Sequence, residues 1–327
     1  MSIDPAVFEI SVPEKLPFLE PICWQIENVY RFTPDQMLSR YERGWSYRNL
    51  FSQLEGEELN FLKELVKYYN SWLQTDLSES MTFKLDHHKK ILTILESFDA
   101  DVLRESTTYF GDGTLLALDF GEYRLSKDVD FICPISTSGY KQLRTIIFNH
   151  GYQALLRDQN RVQVGRGNNN QYGIRMVINV DGEPIKTEII AEARFELDPP
   201  RYPTWSPVAC LSLSDCFTAK LLANSDRFMD DSVEARDLID LAVLRLQSPI
   251  PPEAIRKAEN AYEVMRPLES AIQRFQQRET HRERCFSGLQ IDTSQVPKII
   301  DGIDLLSIDL GLAITERTFK EKHDDLY

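Results

Sequence analysis

Two aspartates, Asp128 and Asp130, are separated by a single valine in the segment SKDVDFICP. The apolar and β-branched run from Val129 to Cys133 predicts a strand. In a strand, residues i and i+2 point to the same face and their Cα atoms lie about 6.5 Å apart. Two carboxylates held in this way can share divalent cations. Mg²⁺ suits such a site because it prefers oxygen ligands and keeps positions open for substrate phosphates.

A glycine-containing turn precedes the aspartates. Gly111 and Gly113 flank Asp112, with a short strand predicted at Thr107 to Phe110 and the first turns of a helix at Leu115 to Phe120. Such a turn can present backbone N–H groups to a phosphate at a helix N-terminus. An ordinary strand-to-helix connection is the alternative for the turn alone.

Glu188 is the candidate for a third carboxylate at this site. It stands among apolar and β-branched residues in a strand predicted at Pro184 to Ala191. Lys186 shares its face, so an ion pair between the two side chains is the competing interpretation.

A predicted pair of helices between 215 and 246 carries further charged residues. Lys220, Asn224 and Arg227 fall on one helical face, where a lysine and an arginine could neutralise the β- and γ-phosphates of a nucleotide. Asp237 follows and could act as a base or orient a cation. The alternative for this region is a surface ion pair between Arg236 and Asp240.

The composition is that of an ordinary globular protein of about two domains, with 327 residues, 42% of them hydrophobic. The net charge of −14 argues against a non-specific DNA-binding protein, although a local basic groove remains compatible with it. No apolar run is long enough to span a membrane and the first residues do not resemble a secretory leader, so we expect a cytoplasmic protein. The five cysteines are scattered, which argues against a disulfide framework or a zinc site.

The predicted elements suggest three regions: an N-terminal arm and helix (1–80), an α/β core (81–205) and a helical C-terminal domain (206–327). The proline-rich residues 1 to 35 read as an extended arm. Further helices are predicted at Gly56 to Leu73, Lys84 to Phe98, Gly139 to His150, Ser214 to Ala223, Ala235 to Leu246 and Glu253 to Gln277, and further strands at Arg161 to Val164 and Gly173 to Val180. The fold class is therefore α+β, with a mixed sheet flanked by helices.

Three other groups of basic residues have open interpretations. The aromatic and basic residues of SRYERGWSYR (39–48) either stack bases or, as we favour, pack on a core. The polar loop GRGNNNQYG is surrounded by arginines and either meets a polyanion or is a solvated hairpin tip. Arg274, Arg278, Arg282 and Arg284 are expected on an exposed helix face.

Five blocks of the sequence together resemble the AbiEii/AbiGii nucleotidyltransferase toxins of bacterial type IV toxin–antitoxin and abortive-infection systems. The glycine turn lies 15 residues before Asp128, and Arg124-x-Ser126 precedes the Asp-x-Asp pair. The other blocks are IKTEI around Glu188, KLLAN with Asp226 and Arg227, and RDLIDL from Arg236. The blocks run from about residue 105 to 246.

The resemblance implies a nucleotidyltransferase fold with a helical C-terminal lobe, and transfer of a nucleotide from an NTP with release of pyrophosphate. By the same resemblance, Asp128, Asp130 and Glu188 would bind Mg²⁺ and Lys220 and Asp237 would be catalytic. The NTP would be held by Gly113, Thr114, Arg124, Ser126, Lys220, Asn224 and Arg227. The expected acceptor is an RNA such as tRNA, or a protein, and a cognate antitoxin is an expected partner.

Two positions depart from the family pattern. Asp112 stands where the family has its first glycine, and Glu188 replaces a shorter aspartate. The alternatives to a nucleotidyltransferase toxin are therefore a catalytically weak nucleotide-binding regulatory protein and a nucleotidyltransferase that modifies small, antibiotic-type molecules.

Overall fold

The computed structural model describes residues 11–23, 26, 28–45, 54, 56–74, 77, 83–318 and 321–322. The chain divides into two compact units. The smaller comprises Met1–Thr82 with Pro203–Trp205, and the larger comprises Phe83–Tyr202 with Ser206–Tyr327. The α/β core and the C-terminal helices thus lie in a single compact unit.

The smaller unit contains three described helices, α1 (Leu19–Ile22), α2 (Pro34–Gly44) and α3 (Gly56–Tyr68), and a 3-10 turn (Val29–Arg31). Thr33 and Gln36 form a capping box at the start of α2, which explains why the helix begins at Pro34. The prediction of an extended arm over residues 1 to 35 is therefore wrong for Leu19–Ile22 and Val29–Arg31, which are helical. The predicted helix from Gly56 ends at Tyr68, earlier than expected.

A buried carboxylate organises the core of the smaller unit. Glu58 accepts hydrogen bonds from the Phe18 and Leu19 backbone N–H groups and from the Tyr41 hydroxyl, each at 2.8 Å. Tyr41 and Trp45 are buried, as expected if the aromatic residues of SRYERGWSYR pack on a core. Residues 46–48 of that segment lie outside the described residues.

The larger unit is built on a five-stranded mixed sheet in the order β1-β2-β5-β4-β3. The strands are β1 (Tyr109–Gly111), β2 (Val129–Pro134), β3 (Gln163–Asn169), β4 (Gly173–Val180) and β5 (Glu183–Glu192). β2 and β5 are parallel, and the other neighbouring strands are antiparallel. The Asp181-Gly182 pair forms the β4–β5 hairpin turn with both residues at positive φ.

Ten helices within the described ranges complete this unit. They are α4 (Asp86–Ser97), α5 (Ala100–Glu105), α6 (Asp112–Asp119), α7 (Gly139–His150), α8 (Leu213–Arg227), α9 (Arg236–Gln247), α10 (Pro252–Glu259), α11 (Met265–Gln277), α12 (Glu279–Gly288) and α13 (Val296–Asp309). This confirms the α+β class and the mixed sheet flanked by helices.

Three sequence predictions need correction. The helix predicted from Glu253 to Gln277 is two helices, α10 and α11, with a break between them. The first part of the GRGNNNQYG loop belongs to β3, which pairs with β4. Arg282 is 2% exposed and its guanidinium binds Glu321, so the four C-terminal arginines do not share an exposed face.

The five cysteines are all buried and free. None of the helices within the described ranges is both long and apolar enough to cross a bilayer.

Candidate active site

A row of register partners crosses three strands and brings two of the predicted carboxylates together. Asp130 on β2 pairs with Gly111 on β1 on one side and with Glu188 on β5 on the other. Because side chains opposite each other on neighbouring strands share a face, Asp130 and Glu188 project together. Gly111 allows Leu211 to pack closely against this strand: a Cβ at Gly111 would lie 2.6 Å from Leu211 Cδ1.

Glu188 also has cationic neighbours. Its carboxylate accepts hydrogen bonds from Arg175 on β4 and Lys186 on β5. The ion pair with Lys186 that competed with the catalytic interpretation is therefore present, and Arg175 adds a second one.

Asp128 and Asp130 lie in a cleft with a volume of about 230 Å³. Among the described residues, neither carboxylate has an ion-pair partner. Burial and the nearby carboxylates of Asp112, Asp128 and Glu188 raise the pKa of Asp130 to about 8. A cation bound beside Asp130 would stabilise its ionised form and lower this pKa, so this part of the cleft is suited to binding a cation.

The glycine turn has a different geometry from the one expected. Asp112, not a glycine, has the left-handed conformation, with φ of 57°. Its carboxylate binds the Lys220 ammonium group, so its negative charge is neutralised. Gly113 allows close packing: a Cβ there would lie 2.1 Å from Arg124 Nη2.

Lys220 is the centre of a buried network of charges. Its Nζ lies 2.9 Å from Asp240 Oδ2 and 3.3 Å from Asp237 Oδ1, and it also contacts Asp112. Burial alone would lower the pKa of Lys220, but the carboxylates of Asp112, Asp240 and Asp237 raise it above its usual value.

Two arginines complete this network. Arg124 donates to both oxygens of Asp240, at 2.7 and 2.9 Å, and Arg227 donates to both oxygens of Asp237, at 2.6 and 2.8 Å. The Tyr123 hydroxyl donates to Asp240 at 2.6 Å. Three cations thus face three carboxylates, and we call this set the buried ion cluster (Asp112, Arg124, Lys220, Arg227, Asp237, Asp240).

Thr114 and Ser126 hold the segment that leads into the Asp-x-Asp pair. The Thr114 hydroxyl donates to the Asp128 backbone carbonyl at 2.6 Å and lies 2.7 Å from Ser126 Oγ. Because Thr114 has one hydroxyl proton, Ser126 is the donor in the second contact. Ser126 lines the cleft, whereas the buried Thr114 supports the segment from behind.

Sequence reasoning missed His88, which supports the same segment. His88 is completely buried; its Nε2 accepts the Ser126 N–H at 3.1 Å. Its Nδ1 therefore carries the ring proton and donates a hydrogen bond to Glu122 Oε1 at 2.8 Å. His87 and His88 are adjacent in the sequence and have no partner at the spacing of metal ligands, so the sequence gave no reason to single out His88. Its contact with Ser126 joins residues 38 positions apart.

A further part of the cleft lining was also missed. It includes Glu234, Arg236, Gly288 and Leu289, and Leu125 N–H donates to the Leu289 carbonyl at 3.0 Å. Glu234 and Ala235 have successive left-handed conformations, with φ of 55° and 50°. Two such residues without glycine give no signal in a sequence.

Two expectations for this region find no contact in the structure. Asn224 is 2% exposed and does not line the cleft, and its Nδ2 has no hydrogen-bond partner among the described residues. Asp240 binds Arg124 and Lys220, and no ion pair joins it to Arg236 within the described part of the chain.

The donor set fits a hard divalent cation better than any other metal. Asp128 and Asp130 offer carboxylate oxygens, and no histidine or cysteine of the described residues lines the cleft. Within the described ranges, no group of three or more acidic, histidine or cysteine side chains is arranged so that it could hold a metal ion.

The mixed sheet is flanked by helices, and a cleft is lined by Asp130 on β2 and by Asp128 just before that strand; this arrangement is consistent with a nucleotidyltransferase-like fold. The chain belongs to the family described as nucleotidyl transferase AbiEii toxin of type IV toxin–antitoxin systems, whose model matches residues 93–299. That range is more than half of the chain and contains every predicted site residue. The resemblance found in the sequence is thereby confirmed.

Two solved structures from Helicobacter pylori are similar at low sequence identity. JHP933 is 14% identical with a TM-score of 0.40, over 69% of this chain and 93% of its own. A protein described as a predicted nucleotidyltransferase is 12% identical with a TM-score of 0.29, over 62% of this chain and 95% of its own. No curated protein matches the chain.

Proposed function

We propose that this chain is an Mg²⁺-dependent nucleotidyltransferase that transfers a nucleotide from an NTP to an RNA such as tRNA, or to a protein. It would act as the toxin of a toxin–antitoxin pair. The observation that carries the proposal is the pair Asp128 and Asp130, which face a cleft without ion-pair partners among the described residues. Membership of a nucleotidyltransferase toxin family supports it.

The proposed reaction is a single displacement at the α-phosphorus. An acceptor hydroxyl oxygen forms a bond to the α-phosphorus, the bond to the bridging oxygen of the β-phosphate breaks, and pyrophosphate leaves with the electron pair while the hydroxyl proton passes to water. Asp128 and Asp130 would hold Mg²⁺, which when bound neutralises phosphate charge. Ser126 lines the cleft beside them.

The residues around the cleft would contribute by orientation. Thr114 and His88 fix the backbone that carries Ser126 and Asp128, and the buried ion cluster joins the glycine turn to α8 and α9. A rigid site lowers the cost of aligning the reacting groups.

Label transfer from each α-³²P-NTP to total cellular RNA or to proteins tests the proposal. The wild-type chain is expected to label a macromolecule in the presence of Mg²⁺. Asp128→Asn and Asp130→Asn should abolish the labelling while the circular dichroism spectrum stays unchanged. Asp181→Asn, at the exposed tip of the β4–β5 hairpin, is the matched control and should label as wild type does.

The other outcomes each have a distinct meaning. Label in a small molecule would favour an antibiotic-type transferase, and NTP binding without labelling would favour a regulatory protein. Full activity of the Asp128→Asn and Asp130→Asn double variant would refute the proposal. Growth arrest on expression, relieved by co-expression of the neighbouring gene, tests the toxin role separately.

A further inference from the structure

Arg236 lies at the wall of the cleft with no ion-pair partner among the described residues. It is half-buried and is the first residue of α9. The cations that the sequence suggested for phosphate binding are all engaged: Lys220, Arg124 and Arg227 each bind carboxylates of the buried ion cluster. Their charge is therefore already balanced within the protein.

We propose that Arg236 is the side chain that binds the β- and γ-phosphates of the nucleotide. This inference deepens the proposed nucleotidyl transfer and rests on it. A nucleoside triphosphate brings several negative charges, and the arginine fork matches phosphate oxygens in a bidentate manner. Besides Arg236, the other cation that lines the cleft without an ion-pair partner in the described ranges is Lys127, which is exposed and on the segment before Asp128.

The local backbone supports the assignment. Arg236 follows Glu234 and Ala235, both left-handed; such strained backbone persists only where the surrounding structure fixes it, and it clusters at active sites and ligand clamps. A cation at the N-terminal end of a helix is also disfavoured by the helix dipole. A bound polyphosphate would remove that unfavourable interaction, because it places negative charge at the same end.

Glu234 also lines the cleft, and its place limits where the phosphates can lie. Its carboxylate packs against Gly288, where a Cβ would lie 1.9 Å from Oε1. Like charge repels phosphate, so the polyphosphate would lie on the Arg236 side and away from Gly288.

Binding of α,β-methylene nucleoside triphosphates tests this inference, because their bridging carbon prevents transfer. Calorimetry with Mg²⁺ and all four analogues first identifies the base that the wild-type chain binds most tightly. For that base, Arg236→Gln is expected to weaken binding of the triphosphate analogue about 10- to 100-fold, as for a lost hydrogen bond to a charged group. Binding of the corresponding monophosphate should change less than about twofold.

Two further variants complete the experiment. Arg236→Lys keeps the charge and should recover part of the affinity that Arg236→Gln loses. If Arg236→Gln does not fold, Arg236→Lys is compared directly with wild type, and a threefold or larger loss of affinity is expected for the triphosphate analogue alone. Arg266→Gln removes an exposed cation elsewhere and should bind as wild type does.

An equal loss for monophosphate and triphosphate, or no loss at all, would overturn the assignment of Arg236. If the wild-type chain bound none of the four triphosphate analogues, the proposed nucleotidyl transfer itself would fail. The two failures are therefore distinguishable.

Discussion

The ammonium group of Lys220 lies 2.9 Å from Asp240 Oδ2, and both side chains are buried in the larger unit. Removing the lysine charge takes one cationic partner away from Asp240 and from Asp237, whose buried carboxylates cannot bind water instead. Breaking a buried ion pair on one side commonly costs about 3–5 kcal/mol. We expect Lys220→Met to lower the free energy of unfolding by about this amount, measured by urea denaturation.

A second substitution separates a structural role of Lys220 from a role in binding phosphate. Asp112→Asn removes one carboxylate of the cluster, and asparagine tolerates the left-handed conformation there. The Lys220→Met/Asp112→Asn double variant should lose less free energy of unfolding than the two single variants lose in sum. Lys89→Met, in an exposed ion pair, is the control and should cost less than about 1 kcal/mol. Unchanged stability of Lys220→Met together with lost activity would contradict the structural role.

Gly113→Ala tests the packing of the glycine turn. The new Cβ would lie 2.1 Å from Arg124 Nη2, so the arginine would have to leave Asp240. We expect a loss of about 3 kcal/mol in the free energy of unfolding, since a buried pair is disturbed. Gly182→Ala is the matched control: its site is open, and its positive φ costs only about 1–2 kcal/mol. A Gly113→Ala variant as stable as wild type would show that Arg124 can move without penalty.

The part of the site that depends on local periodicity could be predicted from the sequence. Strand alternation predicted Asp128 and Asp130 on one face, and both line the cleft, although β2 begins only at Val129. The isolated position of Glu188 in a strand pointed to the register partner of Asp130. Helical spacing likewise placed Lys220 near Arg227, although it did not show what either would contact.

The remaining part depends on contacts between residues far apart in the chain. Arg124 and Asp240 are separated by 116 residues, and nothing local in either segment identifies the other. The same holds for His88 and Ser126. The strained turn at Glu234 and Ala235 is imposed by its surroundings against residue preference, so the wall around Arg236 could not be read from the sequence.

Glu188→Gln tests whether the third carboxylate takes part in cation binding. Its neighbours Arg175 and Lys186 are about half exposed, so losing these ion pairs should change stability by less than about 1 kcal/mol. If Glu188 contributes to the cation site beside Asp130, the Mg²⁺ concentration for half-maximal label transfer should rise about 10- to 100-fold. Glu196→Gln, an exposed acid near the end of the same strand, is the control. An unchanged Mg²⁺ requirement would mean that Glu188 does not bind the cation and only forms ion pairs with Arg175 and Lys186.

His88 predicts a specific dependence of stability on pH. Burial lowers the pKa of His88 below its ordinary value of 6.5, despite the opposing effect of Glu122. Between the folded and unfolded pKa values the unfolded chain binds a proton that the folded chain does not, so acidification favours unfolding. The contribution is fully present above about pH 6.5 and falls as pH decreases below it, by at most about 1.4 kcal/mol per pH unit.

The measurement compares urea unfolding at several values between pH 7.5 and pH 5 for wild type and His88→Gln. Because glutamine does not titrate, the slope of stability against pH should be smaller in the variant by the contribution of His88. His150→Gln is the control: that side chain is exposed at the end of α7, so folding changes its surroundings little. Identical slopes for wild type and His88→Gln would mean that the folded chain accommodates a protonated His88, and the tautomer that holds Ser126 would not be required for folding.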